Sequence, residues 1–335
     1  MQSGKVTLDT IANILGVTKV SVSKALNNQP GVSDGLRKKI LQTSNELGYL
    51  HKNAKLTKSV SKLGIIVPKR FFLDTDNFYT KIYYYMNQEC SQRDISLSIY
   101  LLDPEQEQSN SVPLSLAQDL SDLNGLFIAG EVSEAYVKLL TAYPFPVIAI
   151  DFYKSDIALN CIIPDNFQSG YAVTKYLVDR GHVDIGFVGN PHYTSSVMDR
   201  YCGYLKALNY YHLEWNKQWM LVNNDDNGSY VMDFELPNKL PTAFVCHCDM
   251  AAYKLLLKLQ AEGISVPDQV SLISFDNTDL SQTIVPPLTS VDISKHEFAI
   301  EAVVRMLGCI KHPEAQPKNI YLQSKIIERE SVKRL

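Results

Sequence analysis

From residue 63 onward this 335-residue chain alternates unbroken apolar runs with helix-length amphipathic stretches, and that rhythm restricts the fold more than any other feature. LGIIVP (63–68) is uncharged throughout, the pattern of a strand buried on both faces, and a helical stretch follows at about 78–93. ISLSIYLL, GLFIAG and PFPVIAI continue the strands, with helical stretches near 114–122 and 133–142. A second series opens at NCIIPD, and DIGFVGN, TAFVC and VSLISFDN follow, with helices at about 167–180, 197–210 and 249–262. Repeated strand–helix units give parallel sheets with helices on both faces. The spacing therefore predicts an α/β body of two doubly wound, parallel-sheet lobes joined near residue 160. Ligands of such sheets lie beyond the carboxyl ends of the strands. Asp151-Phe152, Asp165-Asn166, Asp249 and Asp276-Asn277 are the polar strand ends to inspect, although Asp165-Asn166 and Asp249 also suit helix caps.

Ahead of this body stands an all-α head. In VTLDTIANILGVTKVSVSKALN (6–27), Leu8, Ile11, Ala12 and Leu15 recur at helical spacing and bury one face. Gly16 ends that helix, Val17 fills the turn, and Thr18 caps a second helix on which Val22, Ala25 and Leu26 face inward. Lys19, Val20, Ser23 and Lys24 are left outward near its start, the edge that a helix-turn-helix presents to a DNA groove. A third helix, with Ser33 as cap, Leu36, Ile40 and Leu47 as stripe and Gly48 as stop, would leave Arg37, Lys38 and Lys39 on its wet face.

Charge divides the same way. Residues 1–62 hold nine lysines and one arginine against Asp9, Asp34 and Glu46, a net +7, so 63–335 carries −11 of the overall −4. A cationic head on an acidic body suits phosphate neutralisation by the head alone. Residues 50–62, LHKNAKLTKSVSK, are polar and basic and read as a linker.

The run Val6-Thr7-Leu8, Ile11-Ala12, Gly16-Val17-Thr18, Val22-Ser23-Lys24, Asn27, Val32-Ser33 and Leu47-Gly48-Tyr49 resembles the LacI/GalR family of bacterial transcription regulators, and the likeness resumes through the body. The resemblance implies a helix-turn-helix domain at 1–49 and a hinge at 50–62. It implies a periplasmic-binding-protein-like body, with one lobe at 63–160 plus about 293–322 and the other at 161–292 plus about 323–335. Lys19, Val20 and Lys24 would read bases, and Thr7, Thr18, Ser21 and Asn27 would touch phosphate or brace the helix. Lys24 stands where many relatives carry arginine, so its choice of guanine would be less geometrically strict. Leu56 would wedge into the minor groove from a hinge helix, although His51 replaces the usual proline and a plain tether fits the same segment. In the body, Arg200 and Asp276 would grip an effector, Phe152 would lie near its ring, Phe78 or Tyr79 would form a wall, and Thr194, Ser195 and Ser196 would add hydroxyls. Cys248 falls where sugar-binding relatives often place asparagine.

The implied protein is a homodimeric, effector-controlled regulator, expected to be a repressor of carbohydrate genes. Its partners would be a near-palindromic double-stranded operator and a sugar or glycoside, and it needs no cofactor. A cytoplasmic location is expected, since no apolar run follows a basic start and no stretch approaches roughly 18 apolar residues. The six cysteines are scattered without C-x-x-C, and Cys246-His247-Cys248 has no second ligand pair to complete a metal site. A solute-binding protein would share the two-lobed body but not the basic head. Enzymatic readings fail on motifs: G-x-x-x-x-G-K-[ST], H-E-x-x-H and G-x-G-x-x-G are all absent. Asp225-Asp226 sits in turn-like NNDDNGS, and Tyr83-Tyr84-Tyr85 suits packing better than ligand binding. No heptad tail supports a coiled-coil tetramer.

Overall fold

The computed structural model describes residues 7–26, 30–46, 60–72, 77–223, 230–231 and 234–335, and the chain divides into two units, Met1–Val60 and Ser61–Leu335. In the first unit, α1 (Leu8–Leu15) opens on a reciprocal cap. Thr7 Oγ1 accepts from the Thr10 N–H at 3.3 Å, and Thr10 Oγ1 accepts from the Thr7 N–H at 3.1 Å. Gly16 ends the helix at φ 65°, a left-handed conformation that costs a side-chain-bearing residue about 1–2 kcal/mol. α2 (Lys19–Leu26) starts on Thr18, whose Oγ1 accepts from the Ser21 N–H at 3.1 Å. Ile11, Ala12, Val22, Ala25 and Ile40 form the core where α1, α2 and α3 (Asp34–Glu46) meet.

One expectation for the head is corrected. Arg37 is not a solvated neighbour of Lys38 and Lys39. It is partly buried, and Nη1 donates to the Ala25 carbonyl at 3.1 Å, satisfying an acceptor that the end of α2 leaves open. The expected stripe residue Leu47 and stop Gly48 lie outside the described residues, as does most of the linker.

Among its described residues the second unit holds two six-stranded sheets. The first runs β11-β5-β4-β3-β1-β2, entirely parallel, from β1 (Lys62–Pro68), β2 (Ser96–Leu102), β3 (Gly125–Ala129), β4 (Val147–Ile150), β5 (Asn160–Pro164) and β11 (Asn319–Leu322). The second runs β12-β10-β9-β8-β6-β7, from β6 (Ile185–Val188), β7 (Met220–Leu221), β8 (Ala243–Cys246), β9 (Ser271–Phe275), β10 (Thr289–Ile293) and β12 (Ser324–Ile327). NCIIP was expected to open the second lobe. It is instead β5 of the first, paired with β4 and β11, so the chain leaves that sheet at Asp165 and not at 160. β12 departs from the all-parallel expectation: it follows β11 after one residue, without a crossover helix, and so meets β10 antiparallel. Asp165, Ser294 and Gln323 are thus the three points where the chain passes between sheets. The strands' carboxyl ends converge on the cleft between the two lobes.

Candidate ligand cleft and nucleic-acid interface

Two strand ends deliver the acids of the cleft. Asp151 follows β4 and Asp276 follows β9, with φ of 66° and 94°. Non-glycine residues pay about 1–3 kcal/mol for such backbone, so the surrounding fold fixes both carboxylates against local preference. The helix Ser195–Tyr210 delivers the cation. Thr194 caps it, accepting from the Val197 N–H at 3.2 Å, and Arg200 lies one turn in.

Arg200 is 4% exposed, and the protein itself engages its guanidinium. Nε donates to Asn166 Oδ1 at 2.8 Å, Nη2 to Asp276 Oδ1 at 3.2 Å and Nη1 to the His247 carbonyl, while the plane lies 4.6 Å from the Phe275 ring centre. Burial opposes the charge on Arg200, but Asp276 and Asp151 more than offset it, so the guanidinium stays ionised. Asp151 differs: burial pushes its carboxyl up to about 6, against the pull of Arg200 and the Tyr79 hydroxyl. Tyr79 donates to Asp151 Oδ2 at 2.7 Å, and Ser196 Oγ donates to the Asp151 carbonyl at 2.7 Å from the opposite lobe.

The floor comes from β8. Cys248 caps the helix Asp249–Ala261, its Sγ accepting from the Ala251 N–H at 3.4 Å and lying 2.8 Å from the Tyr230 hydroxyl. His247 Nδ1 faces the Val188 carbonyl at 3.1 Å, which can only accept, so Nδ1 carries the proton and Nε2 accepts from Tyr230 at 3.2 Å. Burial and then Arg200 lower this imidazole to about 4, so it is neutral near pH 7. Phe71, Phe78, Tyr79, Tyr193 and Tyr230 give the cleft aromatic walls. Its free space is only about 70 Å³. Ligand pockets begin near roughly 300 Å³, so the lobes must part to admit a sugar-sized molecule.

Of the effector residues read from the sequence, Phe78, Tyr79, Ser196, Arg200, Cys248 and Asp276 meet in this cleft, together with Thr194. Phe152 does not. It is wholly buried in the first lobe's apolar core, and Asp151 takes the place expected for it. Ser195 turns instead to Glu131. Asp165 does cap, accepting from the Gln168 N–H at 3.1 Å, while its neighbour Asn166 anchors Arg200. Asp249 is neither cap nor ligand contact: fully buried, it accepts from Ser274 at 2.5 Å, Ser290 at 2.7 Å and the Thr278 N–H at 2.7 Å, tying β9, β10 and the Asp249 helix together. Tyr84 is exposed and Tyr85 packs edge-on against His296, away from the cleft lining. Cys246 lies in the second lobe's core, and Asp225-Asp226 falls outside the described residues. Phe71, Tyr193, Tyr230 and His247 were missed. The position of His247 directly after the strand run TAFVC could have found it, whereas Phe71 and Tyr230 lie in segments without any periodic pattern.

In the head, Thr7 and Thr18 serve as caps, and Ser21 Oγ shares a hydrogen bond with Thr18 Oγ1 at 2.9 Å. Val20 is 62% exposed at the start of α2. Lys24 is half-buried, and Lys19 Nζ donates to Asp9 Oδ2 at 2.7 Å. Asn27 and Leu56 lie outside the described residues.

Helix-turn-helix head and two-lobed α/β body together define a DNA-binding regulator with a ligand-binding domain. Residues 7–52 match the model for bacterial regulatory proteins of the lacI family, and 174–332 match a periplasmic binding protein-like domain. The chain therefore carries a lacI-family DNA-binding domain followed by a periplasmic binding protein-like domain; it is a transcription regulator, not an enzyme. It is 26% identical over 336 residues to the HTH-type transcriptional repressor PurR of Vibrio campbellii, covering 98% of this chain and 99% of the relative. Its fold resembles that of the transcriptional regulator CelR in complex with cellobiose (TM-score 0.70, 19% identity, 97% and 99% of the two chains). It also resembles the lac repressor dimer bound to operator and the anti-inducer ONPF (TM-score 0.67, 19% identity, 98% and 99%). Among the described residues no helix is long and apolar enough to cross a membrane.

Proposed function

We propose that the chain is a repressor of carbohydrate-utilisation genes, active in the cytoplasm as a homodimer whose two heads read a near-palindromic operator. Lys19, Val20 and Lys24 would meet base edges, with the Val20 methyls suited to a thymine methyl. Thr7, Thr18, Ser21 and Asn27 would serve phosphates or brace the helix, and Leu56 would enter the minor groove. A sugar or glycoside would bind between the lobes against Phe78, Tyr79, Ser196, Arg200, Cys248 and Asp276. The effector would change DNA affinity only through its different affinity for two lobe arrangements. The domain limits follow the same reading: head 1–49, hinge 50–62, then two lobes that exchange the chain three times.

The observation that carries this is the head: two helices joined through a left-handed glycine, with an exposed valine and a solvent-facing lysine at the start of the second. Selection of duplexes from a randomised pool by the full chain tests it. Enrichment of one near-palindromic sequence, released or tightened by a member of a sugar library, is the expected result. Absence of any enriched sequence would overturn it. The five aromatic walls favour a second reading for the effector, a planar heterocycle, so nucleobases and nucleosides belong in the same library.

A further inference from the structure

We propose that Asp9 is a specificity-determining residue of the DNA-reading surface, holding Lys19 in a neutral pair that restrains binding to duplex of arbitrary sequence. The proposal rests on the reading of the head as a DNA-binding unit. Lys19 is the first residue of α2, at the end that faces the groove in a helix-turn-helix, and Asp9 lies in the first turn of α1. Their side chains meet at 2.7 Å, yet both remain more than half exposed, at 58% and 59%. Such a pair contributes little to stability, so its position is not explained by holding the head together. Its consequence is electrostatic and falls on the partner.

A duplex presents one phosphate charge per roughly 1.7 Å of axis, and binding without sequence preference is the displacement of counterions from those phosphates by free cations. An ammonium already held by a carboxylate gains little from exchanging it for a phosphate. The Asp9 carboxylate also repels every backbone that approaches. A guanine edge differs: its O6 and N7 acceptors sit at fixed positions in the major groove, where an ammonium can reach them while the rest of the head is in register. Asp9 therefore lowers the attraction common to all sequences more than the attraction to the right one. It acts as a positioning residue, through Lys19.

The test uses the full chain, a random-sequence duplex and a salt titration, with Asp9→Asn, Lys19→Met and the double variant. Asp9→Asn is expected to tighten binding several-fold at low salt and to steepen the log–log salt dependence by about 0.9, one additional phosphate contact. Asp9→Ser must act in the same direction, so a defect peculiar to asparagine cannot mimic the result. In the Lys19→Met background the gain from Asp9→Asn is expected to fall below half. Unchanged affinity and slope in both Asp9 variants would overturn the proposal. So would an equal gain with and without Lys19, which would show bare charge repulsion and no hold on the lysine. A wild-type chain that binds no duplex at the lowest salt fails differently: it removes the DNA-binding reading itself, and this proposal with it.

Discussion

Ser195 of the second lobe and Glu131 of the first are joined twice: the Ser195 N–H and its Oγ both donate to Glu131 Oε2, at 2.5 and 2.8 Å. Lys154 holds the other carboxylate oxygen at 2.6 Å. Across the cleft, Asp279 accepts from Lys81 at 2.6 Å and from Asn77 at 2.5 Å, again lobe to lobe. With Ser196 on the Asp151 carbonyl, these contacts clasp the lobes with protein groups alone. Any ligand must compete with them.

Glu131→Gln is therefore expected to loosen the clasp. A neutral amide keeps one acceptor but loses the charge that strengthens the bonds from Ser195 and Lys154, so closure should weaken by about 1–3 kcal/mol. Small-angle scattering of the ligand-free protein should show a larger radius of gyration for the variant. Identical curves would mean that the clasp contributes nothing to closure.

Arg200→Ala should be among the most damaging substitutions in the body. It strands Asp276 and the Asn166 carbonyl oxygen beside a buried carboxylate at Asp151, and removing one partner of a buried ion pair typically costs about 3–5 kcal/mol. Adding Asp276→Asn should recover part of the loss, because the side chain left unpaired at 276 is then neutral. Chemical denaturation of the two single variants and the double gives the coupling. Strict additivity would show that the two side chains do not act as a pair.

Asp151 sets a pH dependence with a definite sign. Its carboxyl titrates at about 6 in the fold, raised chiefly by burial, whereas an unfolded aspartate titrates near roughly 3.9. The folded chain thus binds more protons in that window, and this group's contribution to stability is lost as pH rises through it. His247 acts oppositely, since its lowered value makes the fold lose stability as pH falls from about 6.5 towards 4. Asp151→Asn isolates the first effect. Asparagine tolerates positive φ and still accepts from Tyr79, so the variant should match wild type near pH 4 and exceed it at pH 7 by up to about 3 kcal/mol. Melting curves across pH check this; a constant difference would assign the raised carboxyl no part in stability.

Much of this architecture is legible in the residues, because its signals are local. LGIIVP, GLFIAG and TAFVC became strands, and Gly16 with Thr18 marked the turn of the head. What failed to show depends on partners distant in sequence. NCIIP carries no sign of which sheet will take it, and β7, β11 and β12, two to four residues each, are too short for any period. Phe152 was misplaced because a left-handed residue at Asp151 breaks the strand's in–out alternation and returns the ring to the core. Arg37 looked like one of three equivalent cations until the Ala25 carbonyl claimed it. Asp276 was marked as a strand end, but Arg200 and its pairing with Asp276 were legible only through the family likeness, since neither spacing nor composition brings the two together.

The helix that carries Arg200 owes its position to a contact between backbones. The helices Asn166–Val178 and Ser195–Tyr210 cross where Gly170 faces the Arg200 carbonyl and Gly203 faces the Phe167 carbonyl. A Cβ on Gly203 would overlap that carbonyl and come within 2.7 Å of the Tyr171 nitrogen, atoms that cannot swing aside as a side chain can. Gly203→Ala should therefore separate the helices and destabilise the body by about 1–3 kcal/mol, the usual range for overpacking. The same shift carries Arg200 away from Asn166 and Asp276, and a displacement near 1 Å can cost on the order of 100-fold in a preorganised site. Ligand affinity should then fall by more than stability alone explains. Gly308 provides the contrast, because it lies inside the helix Lys295–Lys311 with nothing within 4 Å of its missing Cβ. Gly308→Ala should stabilise the protein by about 0.5–1 kcal/mol through helix propensity and leave ligand affinity unchanged. If both alanine variants melted together and bound alike, the crossing at Gly203 could not be what holds Arg200 in place.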